Sequence, residues 1–133
     1  MTENNQLTVK NTDLVTFAEK DGLGEIIKPL IREIHLFDSY VAGTTYLKDS
    51  SVLEELQPGD RLQLQREDNR FDTNAILLIA EKSKKKVGYV PEKDNVIFAR
   101  LLDAGKLLAA SVKDIRHRGS FTQIAIGIYL VDF

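Results

Sequence analysis

Three carboxylates, Glu67, Asp68 and Asp72, crowd one short stretch of the sequence, and paired carboxylates can move protons in acid–base catalysis. Neither histidine, His35 or His117, stands near them, and the two lie too far apart to show paired metal-ligand spacing. With no cysteine in the chain, disulfides and thiolate chemistry are excluded. The stretch EDNRFDTNAI invites a calcium-loop reading, yet Arg70 falls where an oxygen ligand is needed and no glycine follows. Nucleophile-elbow, zincin, dinucleotide and phosphate-loop patterns are all missing. Ala104-Gly105-Lys106 lacks the upstream glycine and following hydroxyl of a phosphate loop and reads better as a helix stop. The residues therefore suggest neither an enzyme nor a metal or cofactor site, and turn formation explains the acidic stretch.

Binding chemistry is the remaining possibility. The formal net charge of −2 argues against a long grip on duplex phosphate. The first 33 residues hold four Lys/Arg against six Asp/Glu, and the remainder is balanced at 14 against 14. Within that neutral body the cations cluster at Arg61, Arg66 and Arg70, at Lys82 and Lys84 to Lys86, and at Lys113, Arg116 and Arg118. A local basic face is compatible with this pattern, although Lys84 to Lys86 read first as a solvated hairpin tip. Tyr46 and Phe71, taken alone, read as core aromatics.

The elements that position these residues follow from periodicity. At 133 residues the chain is long enough for one core. A short helix is expected over Thr12 to Lys20, broken by the glycines at 22 and 24, and Glu25 to Ile34 is apolar enough to pack. From Ile34 the pattern turns to strands. Ile34 and Leu36 suggest a half-buried strand running towards Gly43, and SVLEELQ fits a turn or two of helix. In RLQLQRE, Leu62 and Leu64 face the core while Gln63 and Gln65 face water. AILLIAE and VGYVP form a hairpin across the lysine-rich tip. Residues 92 to 104 read as a helix with Ile97, Leu101 and Ala104 on one face, stopped by Gly105. Two further strands close the chain, the second alternating at Ile124, Ile126, Ile128 and Leu130. The expected fold is mainly β with short helices, a six-stranded antiparallel barrel with flanking helices.

Val41-Ala42-Gly43-Thr44-Thr45-Tyr46, Asn69-Arg70-Phe71-Asp72-Thr73-Asn74-Ala75-Ile76, Val87-Gly88-Tyr89-Val90-Pro91 and Leu101-Leu102-Asp103-Ala104-Gly105 occur in that order. Together they resemble the HIRAN family, in its stand-alone bacterial form, from about His35 to the C-terminus. The resemblance implies an OB-like barrel that binds single-stranded DNA and recognises the terminal 3′-hydroxyl. On that pattern Tyr46 matches the stacking tyrosine, Phe71 the aromatic of a Tyr-Asp pair, and Asp72 the carboxylate at the 3′-hydroxyl. Tyr89 takes the groove-lining position, with Arg66 and Arg70 supporting phosphates. Departures are Thr45 where some members carry arginine, Leu47 in place of a second tyrosine, and Phe71, which keeps the ring without the hydroxyl.

Residues 34–133 are thus expected to form the HIRAN domain and 1–33 an N-terminal extension. Its Ile26, Ile27, Leu30 and Ile31 should pack onto the barrel, a partner or a second copy. The implied partners are single-stranded DNA or DNA 3′ ends, with a DNA translocase or nuclease in trans as a further class. The implied setting is DNA repair or replication-fork processing. The competing class is a protein-interaction or oligomerisation domain that has lost its DNA groove, as Thr45 and Leu47 hint. The N-terminus lacks the basic and apolar regions of a secretory signal, and no apolar run approaches the ~18 residues of a membrane span, so a cytoplasmic location is expected.

Overall fold

The alternation in RLQLQR makes β2 (Arg61–Arg66) a strand with one dry and one wet face. Leu62 is buried and Leu64 packs against the core, whereas Gln63 and Gln65 are exposed. This computed structural model describes residues 32–132. The helix expected over 12 to 20 and the packing of Ile26, Ile27, Leu30 and Ile31 lie outside that range. Residues His35–Leu130 form one compact unit, and the described residues on either side of it, 32–34 and 131–132, belong to another. Arg32 pairs there with Asp132 at 3.4 Å.

The described chain runs β1 (Arg32–Tyr40), a 3₁₀ turn (Thr44–Tyr46), α1 (Ser51–Glu55), β2, β3 (Ile76–Ala80), β4 (Lys86–Tyr89), α2 (Asn95–Asp103), β5 (Leu108–Arg118) and β6 (Phe121–Asp132). The sheet order is β1-β6-β5-β2-β3-β4. Registers place Ala80 opposite Leu62, Leu62 opposite Ala110 and Ala110 opposite Ile128, all four buried. A row in which small alanines alternate with Leu and Ile lets the sheet curl around its own core. The chain leaving β1 then bridges the two ends of the sheet. Val41 N–H donates to the Ile124 carbonyl on β6 at 2.9 Å, and Ala42 exchanges both backbone bonds with Tyr89 on β4 at 2.8 and 2.9 Å. The result is a mostly β, OB-like half-barrel of six antiparallel strands with two short helices.

Gly88 is required at the bridge because a Cβ there would lie 2.5 Å from both the Ala42 carbonyl oxygen and Val41 Cγ1. Ile124, Ile126 and Ile128 are fully buried, as their alternation predicts.

Two expectations need correction. β1 is exposed along its length except at Ser39, with Ile34 and Leu36 at 42% and 37%, because the terminal strand of the sheet has a strand neighbour on one side only. In α2 the inward residues are Asn95, Phe98 and Ala99, with Leu102 packed behind them, and Ile97 is 68% exposed. Positions 95, 98, 99 and 102 form the i, i+3, i+4, i+7 stripe that faces the core. The expected set 97, 101 and 104 also has the spacing of one helical face, but of its members only Leu101 packs against the core, while Ile97 and Ala104 are exposed. A complete Schellman stop ends α2: Gly105 N–H donates to the Leu102 carbonyl at 3.0 Å and Lys106 N–H to that of Leu101 at 2.9 Å, with Gly105 at φ 88°. No helix among the described residues is long and apolar enough to cross a membrane.

Candidate nucleic-acid interface

The loop between β2 and β3 is wound by its own short polar side chains. Asn69 Oδ1 accepts from Phe71 N–H at 2.8 Å, and Asp72 Oδ1 accepts from Asn74 N–H at 2.9 Å. Two successive Asx turns of this kind hold the backbone in a tight path. They lift Phe71 off the core, and its ring is 82% exposed. Asn95 on α2, itself 1% exposed, donates from Nδ2 to Asp72 Oδ2 at 2.8 Å. Each carboxylate oxygen of Asp72 is thereby oriented by one donor. Since a carboxylate has about four lone-pair sites, acceptor capacity is left for a ligand hydroxyl.

Arg66 completes the loop. Its guanidinium donates to the carbonyls of Ala75 at 2.8 Å and Thr73 at 2.9 Å and, through Nε, to Asp103 at 2.9 Å. With its fork committed to the protein, Arg66 ties the loop to α2 and has little left to offer a phosphate, contrary to its expected role. Arg66→Ala is expected to cost about 2 kcal/mol, a fall in melting temperature of about 5 to 10 °C, because two carbonyls lose charged donors. Arg70→Ala, at an exposed position, should leave melting unchanged. Equal melting of the two variants, read by calorimetry, would remove Arg66 from this structural role.

The opposite wall comes from the turn after the bridge. Gly43, at φ 78°, accepts from Tyr46 N–H at 3.1 Å. Thr44 is buried and its hydroxyl donates to the Thr122 carbonyl at 3.4 Å, which anchors the turn on β6. Tyr46 projects outward, 88% exposed, beside exposed Thr45. Leu47, where a second tyrosine was the family expectation, packs against the core instead. Beneath the turn lies Tyr89, whose hydroxyl donates to Glu67 Oε1 at 2.7 Å. Glu67 also accepts from Asn69 Nδ2 at 3.2 Å, linking Tyr89 to the loop that carries Phe71.

Phe71, Asp72 and Tyr89 thus line one cleft of about 340 Å³ together with Gly43, Asn69 and Glu92. Tyr46 lines a neighbouring cavity, and the Arg70 guanidinium lies 5.1 Å from the centre of the Phe71 ring. Neither Tyr46 nor Phe71 is a core residue. From the sequence Glu67 stands out only as one of three crowded carboxylates and Asn69 only as part of a motif, and Asn95 does not stand out at all. Asn95 belongs to α2's inward stripe, and a polar residue on such a stripe is the signal that could have marked it. Among the described residues, no group of three or more His, Cys, Asp or Glu is placed to hold a metal.

The HIRAN domain family model matches residues 34–130. No curated protein matches the chain in sequence. Among solved structures, a protein from Lactobacillus plantarum is similar at a TM-score of 0.71 and 26% identity, covering 77% of this chain and 99% of that one. The HIRAN domain of human HLTF is similar in fold at a TM-score of 0.60 and 16% identity, covering 76% of this chain and 78% of that one. The chain belongs to the HIRAN domain family, a family of nucleic-acid-binding modules.

Proposed function

We propose that this domain captures single-stranded DNA at its 3′ end without catalysing a reaction on it. The observation that carries the reading is the pairing of two outward aromatic rings, Tyr46 and Phe71, with a cleft whose polar wall is the pre-oriented carboxylate of Asp72. The two rings, 88% and 82% exposed, line adjoining cavities, Phe71 the Asp72 cleft and Tyr46 the cavity beside it, and both faces are open to a ligand. Unpaired bases stack on such rings whatever their sequence. In this reading Asp72 accepts from the terminal 3′-hydroxyl, Tyr89 lines the groove, and Arg70, held over Phe71, lies beside the last phosphates. Thr45 borders the stacked base without supplying charge. Residues 34–133 are the binding domain and 1–33 an extension available to a second copy or to a translocase or nuclease acting in trans. A cytoplasmic role in DNA repair or replication-fork processing fits an end-capturing module.

Tyr46→Ala and Phe71→Ala test this directly. Each should weaken binding of a labelled single strand by about tenfold, since stacking contributes roughly 1 to 3 kcal/mol per base. Melting should be unchanged, because neither ring contributes to the core. Wild-type affinity in both variants, by fluorescence anisotropy, would overturn the reading in favour of a protein-interaction domain.

A further inference from the structure

The cleft at Asp72 is bordered by a second cavity of opposite charge. It measures about 420 Å³ and is lined by Tyr46, Leu47, Lys48, Asp49, Lys85 and Lys86. Two links join the pair. Tyr46 N–H donates to the carbonyl of Gly43, which lines the Asp72 cleft. Lys86 Nζ donates to the Tyr89 hydroxyl at 3.1 Å and lies 4.8 Å from the centre of that ring.

The charges differ in kind. The Asp72 cleft is lined by the carboxylates of Asp72 and Glu92 and by no lysine or arginine. A phosphodiester placed there would face like charge, whereas a sugar hydroxyl would find an acceptor. In the second cavity three lysines face Asp49. Lys85 is neutralised in part, 3.3 Å from Glu55 and 3.8 Å from Asp49. The hydroxyl and backbone N–H of Ser51 hold the Asp49 carboxyl below the usual carboxylate range. Lys86 meets the hydroxyl of Tyr89 rather than a carboxylate, and exposed Lys48 makes no ion pair among the described residues. Two ammonium groups are left to attract an anion. Although the lysine run reads from sequence as a solvated tip, only Lys84, at φ 63°, turns the hairpin, while Lys86 opens β4 opposite Ile79.

We infer that the lysine cavity is a backbone-phosphate subsite, taking an internucleotide phosphate 5′ to the nucleotide whose hydroxyl reaches Asp72. This rests on the end-capture reading and adds a direction to it. The strand runs 5′ to 3′ from the lysines, past Tyr46, into the acidic cleft.

The test is salt-dependent anisotropy of a labelled oligothymidylate with a free 3′ end. Against the unaltered chain, Lys48→Ala combined with Lys86→Ala should flatten the slope of log K on log salt by about 0.7, the value for one single-strand phosphate contact. Lys48→Arg should keep the slope. With the unaltered chain, a neutral methylphosphonate near the 3′ end should weaken binding, and the same group at the 5′ end should not. An unchanged slope in the double variant, or indifference to the neutral linkage, overturns the subsite. In that event Phe71→Ala separates the two ideas, since continued loss of binding in that variant leaves end capture standing. No binding by the folded, unaltered chain overturns both.

Discussion

A single strand ending in a free 3′-hydroxyl is expected to bind at least about tenfold more tightly than the same strand ending in 3′-phosphate, because a hydrogen bond to a charged group contributes roughly 1.5 to 3 kcal/mol. The phosphate removes the donor and sets negative charge against Asp72, with Glu92 on the same cleft wall. Asp72→Asn should erase most of that preference. The structure adds a second consequence for this variant. Asp72 accepts from Asn74 N–H through one oxygen and from Asn95 Nδ2 through the other. An amide can satisfy only one of these donors and must turn its own NH₂ towards the other. Asp72→Asn should therefore also lose about 1 to 3 kcal/mol of stability, visible as a lower melting temperature. Tyr46→Ala should weaken both oligonucleotides alike, since stacking does not sense the end group. Equal binding of the two strands by the unaltered protein would sink end recognition whatever the variants do.

Gly88→Ala is expected to have the largest effect on stability and to remove binding at the same time. The added Cβ would lie 2.5 Å from the Ala42 carbonyl oxygen, which is main chain and cannot swing aside as the tip of a side chain could. That oxygen accepts from Tyr89 N–H, so relieving the clash opens the bridge between β1 and β4. Overpacking of this kind costs about 3 kcal/mol, or roughly 10 °C in melting temperature for a chain of this size. Gly43 and Tyr89 both line the cleft, so its two walls would separate. Gly59→Ala is the control. It sits at φ 95° with nothing within 4 Å of its added Cβ, so it carries backbone strain without a clash. It should melt slightly lower and bind normally. A Gly88→Ala protein that melts like the unaltered chain would refute the requirement for close approach at the bridge.

Much of the fold is legible in the sequence alone, because periodicity is a local property of the backbone. Leu62 and Leu64 against Gln63 and Gln65, and Ile124, Ile126 and Ile128 against their neighbours, can satisfy water and core together only as strands. The ordered conjunction of Gly43 with Tyr46, Phe71 with Asp72, and Gly88 with Tyr89 was enough to suggest the family. What periodicity could not decide was which partner each side chain meets. Arg66 read as a surface cation until the Thr73 and Ala75 carbonyls and Asp103 on α2 closed around it. Lys86 read as part of a solvated tip until β4 placed it on Tyr89. Ile34 and Leu36 had the alternation of a half-buried strand, and only their place in the terminal strand left them exposed. Asn95 acquires its significance from Asp72, far away in the chain but 2.8 Å away in space. Local sequence determines which conformations are open to a segment. Whether a donor is free or consumed depends on groups that only tertiary closure brings within hydrogen-bond range, and in this chain that closure is the bridge across Ala42 and Tyr89.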